Sequence, residues 1–265
     1  MKPALGLVVA LAVEAHSLFG RRHWQRIDHR PIHCRDLDDG TRLVCICSGM
    51  GIDNAFSAAL WLIDQGVTAL AIMGVAGGLD PVLKAGDLVL ADTVFEDRGK
   101  KDPIRNADPI CTELALGAMA ARGIPVKRGS IITTRQAVIT VGGKKTLYKQ
   151  SRALAVDMES AAVARAAGQA GLPFFVLRAI CDPANQSVSE DLFHSLDANG
   201  KVQFPILLGK LLRRPSLAGE LLRMRKLFVT ALSTLKNGWR VLVANNLVET
   251  LVLRQQDALN SKRQS

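Results

Sequence analysis

The chain has 265 residues, of which 48% are hydrophobic and 22% are charged, and its formal net charge is +10. This length and composition suffice for one large domain with a sizeable core and argue against wholesale disorder. The positive charge is uneven, because residues 209–265 contain 11 Lys and Arg against 3 Asp and Glu, whereas residues 1–208 contain 23 against 21. A nucleic-acid-binding domain would carry its own basic patch, so the even balance of the larger part disfavours nucleic acid as a partner.

The five cysteines have no spacing typical of structural zinc, and their odd number argues against a disulfide framework. The first apolar run ends at Glu14 without a cleavage site, so a signal peptide is not predicted. No apolar run approaches the ~20 residues of a membrane-spanning helix. We therefore expect a cytoplasmic protein that needs neither a metal nor an organic cofactor.

The apolar pattern predicts strands and helices that alternate along the chain. The predicted strands are 5–13, 42–47, 69–73, 87–95, 126–133, 154–159 and 174–182. The predicted helices are 15–22, 53–65, 112–122 and 160–171. Such alternation indicates an α/β fold with three αβα layers around a central mixed, mostly parallel sheet. One long amphipathic helix over 217–242 follows, or two that are broken near Asn237 and Gly238. We therefore divide the chain into a catalytic domain, 1–212, and a basic amphipathic helical tail, 213–265.

Three carboxylates and two glycine-rich stretches follow the predicted strands, at their C-terminal ends. They are Glu14, Gly49 to Gly51, Gly74 to Gly78, Glu159 and Asp182. Each carboxylate alone is more often a helix cap or a first-turn acid than a catalyst. Because the C-terminal ends of parallel strands meet at one edge of a sheet, where α/β proteins bind ligands, the set as a whole favours a functional site.

The sequence also predicts the surroundings of one buried arginine and of one run of glycines and lysines. Arg178 falls on a buried strand and needs a partner, for which a carboxylate at the same sheet edge is the obvious candidate. The run from Gly142 to Lys145 has two glycines and two lysines, and it predicts a solvated turn.

Five stretches of the chain resemble the superfamily of nucleoside phosphorylases and nucleosidases, which includes the purine nucleoside phosphorylases and the methylthioadenosine/S-adenosylhomocysteine nucleosidases. They are Glu14 and residues 48–51, 73–79, 156–161 and 178–185, and their order and spacing match over about residues 5–208. The basic tail and residues 178–185 look most like the hopanoid-associated branch, whose members are thought to remove adenine from adenosylhopane.

The resemblance implies roles for the three carboxylates. Glu159 would hold the 2′ and 3′ hydroxyls of a ribose, with Met158 against the sugar. Asp182 would deliver a proton to N7 of the purine, and Glu14 would activate the attacking water. It further implies substrate contacts from one loop and both glycine-rich stretches, at Met50, Val75, Ala76, Gly77, Val138 and Ile139.

The chemistry of glycosidic cleavage explains why carboxylates suit these positions. The reaction passes through an oxocarbenium-like state, which nearby negative charge stabilises. A free aspartate with a pKa of about 3.9 is almost fully ionised at pH 7. Asp182 would therefore need apolar surroundings, or would share its proton with N7 only as the bond breaks.

The sequence departs from the family pattern in ways that bear on the acceptor and the substrate. The phosphorylases carry an arginine for phosphate where this chain has Ile72 and Met73. That difference favours water, yet Gly49 and Gly51 could cradle phosphate, so the acceptor is left open. Val138 replaces an aromatic residue and Val75 replaces a serine, and both changes suit a larger apolar 5′ substituent.

The function expected from these residues is release of adenine from a 5′-substituted adenosine, adenosylhopane in particular. The alternatives are a methylthioadenosine/S-adenosylhomocysteine nucleosidase, which fits the same carboxylates, and a non-catalytic nucleoside-binding protein, against which the three carboxylates argue. The basic tail could rest on the inner face of an anionic membrane, or pack on the domain or on a second subunit of a homo-oligomer.

Overall fold

The computed structural model describes residues 3–97, 103–190, 214 and 217–254, so the predicted domain boundary at 212 lies outside the described residues. The strands are Ala4–Val9 (β1), Trp24–Ile27 (β2), Arg30–Asp36 (β3), Arg42–Cys47 (β4), Ala69–Gly78 (β5), Leu88–Glu96 (β6), Pro103–Asn106 (β7), Val126–Thr133 (β8), Ala155–Asp157 (β9) and Phe174–Asp182 (β10). The helices are Ala12–Phe19 (α1), Ile52–Asp64 (α2), Pro109–Ala120 (α3), Val141–Ser151 (α4), Ser160–Ala170 (α5) and Leu217–Ala244 (α6). Residues 247–254 are also helical.

The strands form one mixed sheet that is partly closed into a barrel. β1 lies between β4 and β5 and is parallel to both, while β3 and β2 extend this part as antiparallel strands. β5 also pairs with β10 and β9, and β10, β6, β8 and β9 pair in succession, so these five strands close into a ring. The predicted α/β fold is confirmed. The sheet is less parallel than predicted, because the hairpin β2–β3 and the short strands β7 and β9 add antiparallel pairs.

Helices cover both faces of the sheet, as the three-layer prediction requires. On one face, α2 and α5 pack through small side chains, among them Ala55, Ala59 and Ala162, which are fully buried. These alanines allow the two helices to lie close to each other and to the sheet at the density of a protein interior. The other face is covered by α1, α3 and α6.

The apolar face of α6 belongs to the core of the domain. Ala231 and Leu235 are fully buried, and Trp239 is almost so, in one cluster with residues of the sheet, α1 and α3. Of the alternatives considered for the tail, packing on the domain is therefore the one observed for α6. Every helix in the described ranges is too short or too polar to span a bilayer.

Helix α6 runs antiparallel to β10 and extends past its end. Gly238 lies against Leu177 in the middle of β10, whereas Thr230 lies against Gly86, whose amide donates to the carbonyl of Ile180 near the end of that strand. The 13 residues from 217 to 229 therefore project about 20 Å beyond this point, at a rise of about 1.5 Å per residue. The first half of α6 lies at the edge of the sheet where β10 ends.

The sequence analysis missed the hairpin β2–β3 and the strand β7, and it misread the start of α4. The hairpin β2–β3 was not predicted, because its exposed strands are mostly polar. The solvated turn predicted from Gly142 to Lys145 is wrong, since these residues form the start of α4 and Lys144 is fully buried. The side chain of Thr140 accepts from the amide of Gly143 and caps this helix, which offsets the low helix propensity of the glycines.

The packing of α6 can be tested at Gly238, where a Cβ atom would lie 2.9 Å from Leu88 Cδ1 and 3.2 Å from Leu177 Cδ2. We expect Gly238→Val to lower the free energy of unfolding by about 1–3 kcal/mol, because the core has no room for the added side chain. Gly219→Val is the matched control, since nothing lies within 4 Å of a Cβ there. Equal melting temperatures for the two variants would contradict the packing of α6.

Candidate active site

A buried arginine forms the centre of the site. Arg178 on β10 is fully buried, and its Nη2 lies 2.7 Å from Asp157 Oδ2 and 3.5 Å from Glu159 Oε2. The same guanidinium donates to the hydroxyl of Ser160. The prediction that Arg178 pairs with a carboxylate at the sheet edge is thus confirmed. Its Nη1 atom is buried without a hydrogen-bond partner and lies beside Gly74.

Asp157, which sequence analysis did not place in the site, has a structural role. Its carboxylate accepts from the amides of Glu159 and Ser160 at the start of α5 and from the hydroxyl of Thr133 at 2.6 Å. The hydroxyl of Ser160 also donates to it. Asp157 therefore provides the cap that an acidic residue commonly supplies to a helix N-terminus. It also holds Arg178 in place.

Glu159 immediately precedes α5 but does not cap it. Its Oε1 instead accepts from the amide of Gly51, 2.9 Å away at the start of α2, and its Oε2 faces Arg178. Because Asp157 already satisfies the amides of α5, the usual structural explanation for an acid at this position does not apply to Glu159. The helix dipole of α2 favours a negative charge there.

Glu14 lies in the first turn of α1 and bridges two parts of the chain. Its Oε2 accepts from the amide of Leu11 at 2.8 Å, and its Oε1 accepts from the amide of Val75 on β5 at 2.7 Å. The first contact is an interaction at the N-terminus of a helix, as expected for an acid in the first turn. The second binds Glu14 to the strand that also borders Arg178 and Asp182.

Burial dominates the electrostatics of these acids. It raises the pKa of Glu159 to about 7, although Arg178 opposes this effect, and it raises the pKa of Glu14. Three buried carboxylates, those of Glu14, Asp157 and Glu159, face the single guanidinium of Arg178. Burial therefore favours the protonated forms of Glu14 and Glu159, while Asp157 is the ion-pair partner of Arg178.

Asp182 at the end of β10 has ionic surroundings, in contrast to the apolar ones considered from the sequence. Its Oδ2 lies 2.6 Å from the ammonium of Lys144, and its Oδ1 accepts from the thiol of Cys181 at 3.0 Å. Burial and the nearby Asp182 raise the pKa of the Cys181 thiol well above its usual range, so it is an S–H donor at neutral pH. The side chain of Asp182 is one-fifth exposed.

The second glycine-rich stretch is part of a strand and does not follow it, which corrects the predicted end of this strand at residue 73. β5 continues to Gly78, with Gly74 opposite Arg178 and Gly77 opposite Asp182 on β10. A Cβ at Gly74 would lie 2.6 Å from Arg178 Nη1 and 2.8 Å from Glu14 Oε1, and one at Gly77 would lie 3.3 Å from Asp182 Oδ2. Glycine is used here because side chains of the site approach the backbone of β5.

The first glycine-rich stretch supplies its amides to the protein itself. The amide of Gly49 donates to the carbonyl of Ala10, and that of Gly51 donates to Glu159. Both glycines have positive φ angles, 83° and 99°, which other residues rarely adopt. Neither amide is left to donate to a phosphate.

The remaining predicted contact residues lie around this edge. Val75 and Ala76 are on β5, and Met50 and Met158 precede α2 and α5. Val138 and Ile139 lie in the loop before α4, and the carbonyl of Ile139 accepts from the amide of Val188, beyond the turn that follows Asp182. No group of three or more potential metal-ligating side chains occurs in the part of the chain that the structure describes.

Buried carboxylates thus gather at the ends of strands of an α/β domain, where proteins of this fold class bind their ligands. A profile of the phosphorylase superfamily matches residues 4–212, and the chain belongs to that superfamily. The predicted superfamily and enzyme class are thereby confirmed, while the hopanoid-associated branch stays a prediction.

Solved structures share the fold at low sequence identity. Futalosine hydrolase of Helicobacter pylori is 21% identical with a TM-score of 0.70, over 91% of this chain and 97% of that one. The 5′-methylthioadenosine/S-adenosyl homocysteine nucleosidase of Campylobacter jejuni is 20% identical with a TM-score of 0.69, over 92% and 98%. The S-adenosylhomocysteine nucleosidase of Streptococcus pyogenes, in complex with 5-methylthiotubericidin, is 20% identical with a TM-score of 0.69, over 94% and 98%.

The raised pKa of Glu159 predicts how stability depends on pH. The folded protein keeps the proton of Glu159 up to about pH 7, whereas the unfolded chain loses it near pH 4.5. The free energy of unfolding therefore falls as the pH rises through this range, by on the order of 3 kcal/mol. The variant Glu159→Gln should lack this part of the pH dependence of the free energy of unfolding.

We expect the melting temperature of Glu159→Gln to rise relative to that of the wild type between pH 5 and pH 8. Thermal unfolding followed by circular dichroism across this range measures the difference. Asp64→Asn is the control, because this acid is exposed at the end of α2. A difference that is independent of pH would show that Glu159 is not the titrating group.

Proposed function

We propose that the protein hydrolyses the N-glycosidic bond of a 5′-substituted adenosine, releasing adenine, with adenosylhopane as the substrate. The observation that carries the proposal is the position of Glu159, which does not cap its own helix and instead faces Gly51 and Arg178. A buried carboxylate in this position suits the hydroxyls of a ribose. The nucleosidase names of similar structures and the resemblance of residues 178–185 support the choice of nucleoside.

Asp182 and Glu14 border the same strand at different points. Glu14 bonds to Val75, and Asp182 lies opposite Gly77, two residues or about 7 Å further along β5. This spacing leaves room for a ribose between an acid and a base. In the proposed reaction the bond from C1′ to N9 breaks, its electrons pass to the base, and Asp182 gives its proton to N7. Water bonds to C1′ and loses a proton to Glu14.

Water is proposed as the acceptor for two reasons. The amides of Gly49 and Gly51 are already engaged, so the cradle considered for phosphate lacks these donors. The raised pKa of Glu14 suits a base that must hold a proton near neutral pH.

The reaction is tested by incubating the purified protein with adenosylhopane and, separately, with 5′-methylthioadenosine, each with and without phosphate. We expect free adenine and an unphosphorylated sugar in all conditions, with the higher kcat/KM for adenosylhopane. Asp182→Asn should lower kcat by at least about 100-fold with little change in KM, because only protonation of the leaving group is lost.

Asp64→Asn is the matched control for this assay and should keep full activity, since it lies on the surface. No adenine from either substrate would overturn the proposal, and a phosphorylated sugar would overturn water as the acceptor. Preference for 5′-methylthioadenosine would favour the methylthioadenosine/S-adenosylhomocysteine nucleosidase alternative.

The outward face of α6 is proposed to contact an anionic membrane. Arg223, Arg225 and Lys226 are exposed there beside Leu222 and Val229, which are 64% and 55% exposed. The sequence has no acidic residue between positions 220 and 249 to offset them. Because this half of α6 projects at the edge where β10 ends, such a contact would bring the site close to a lipid-linked substrate.

Flotation with vesicles tests the membrane contact. We expect the full chain to float with vesicles that contain phosphatidylglycerol and not with pure phosphatidylcholine, and Arg223→Glu/Arg225→Glu to abolish flotation. Arg42→Glu/Arg122→Glu is the control, because it makes the same charge change at exposed positions near the opposite ends of the strands. Equal flotation of the two double variants would contradict the proposed surface.

A further inference from the structure

Lys144 is a buried cation whose contacts all belong to one turn of the site. Its Nζ lies 2.9 Å from the carbonyl oxygen of Asp182, 3.0 Å from those of Pro183 and Gln186, and 2.6 Å from Asp182 Oδ2. The side chain has no exposure to solvent. Every one of these four contacts is to an oxygen atom, which suits the N–H donors of a lysine side chain.

The position of Lys144 in its own helix does not explain why a lysine is there. It lies in the beginning of α4, where the helix dipole disfavours a positive charge, and no acidic residue occupies the first turn. A buried ammonium is also costly to desolvate unless its protons are bonded. The oxygens of the turn after β10 meet that requirement, and they connect Lys144 to Asp182 twice, through its backbone and through its carboxylate.

We propose that Lys144 is a positioning residue for the acid of the reaction, fixing the turn 182–186 and with it the direction of the Asp182 carboxylate. The inference rests on the proposed function, in which Asp182 protonates the leaving base. The three carbonyl contacts set the backbone from which the acid projects. The ammonium also balances the negative charge that Asp182 carries once its proton has passed to N7.

The chain offers a matched control beside this residue. Lys145 follows directly in the same helix but is exposed, so Lys145→Met makes the same chemical change without touching the turn. We expect Lys144→Met to lower kcat for adenine release by about 30-fold or more while KM changes less than about threefold, because the acid is misdirected and the sugar contacts remain. Lys145→Met should match the wild type.

A double-mutant cycle separates this role from general support of the fold. If Lys144 acts through Asp182, adding Lys144→Met to Asp182→Asn should lower kcat by less than about threefold, because the acid is already absent. Losses that multiply in the double variant would overturn the proposal. So would a Lys144→Met variant with unchanged kcat, or one whose only change is a higher KM.

A second variant covers the case in which Lys144→Met does not fold. Lys144→Gln keeps N–H donors for the carbonyl oxygens and removes only the charge, and we expect a folded protein with a reduced kcat. A folded Lys144→Gln with the full kcat would overturn the proposal. A wild-type protein and a Lys145→Met variant that both fail to release adenine would sink the proposed function, whereas active controls with active Lys144 variants would sink this inference alone.

Discussion

The ion pair between Arg178 and Asp157 is the interaction on which the site depends. The guanidinium is fully buried on β10 and the carboxylate ends β9, so the pair joins two strands of the closed ring at the edge where the other acids gather. Removing either partner would leave an uncompensated buried charge, at a cost of about 3–5 kcal/mol. Glu159 and Glu14 can remain buried near neutral pH because this cation is nearby and because burial favours their protonated forms.

Asp157 and Glu159 have different roles, since Asp157 caps α5 and Glu159 faces the site. Asp157 accepts from the amides at the start of α5 and from Thr133, so the helix is capped and the strand end is fixed. Glu159 is thereby released from its own helix and held by Gly51 of another. Asp182 is similarly supported from a separate element, since Lys144 of α4 bonds to the turn that carries it. Glu159 and Asp182 thus each have their orientation set by a residue of another element.

The sequence predicted the parts of this structure that follow from apolar periodicity and from strand ends. Apolar periodicity predicted the long strands and the helices on both faces. The strand ends predicted that Glu14, Glu159 and Asp182 would lie at one edge of the sheet. The role of Asp157 could not be predicted, because two acids at positions 157 and 159 look equivalent in the sequence. Only the structure shows which of them accepts from the amides of α5. Lys144 was missed because glycines and lysines suggest solvent. The cap at Thr140 and the spacing of Lys144 to the buried Leu147 were the signals that could have placed it inward.

The burial of α6 has a consequence for the order in which the chain folds. The face of the sheet covered by α1 and α3 is completed only by apolar residues between Ala231 and Val252, far along the chain from β10. During synthesis from the N-terminus, Arg178 and its carboxylates can all have emerged while this face still lacks its cover. The edge that carries the candidate site therefore lies within the first 190 residues, but its supporting core closes only after α6 and residues 247–252 have been made. A growing chain must keep that apolar surface from associating until then.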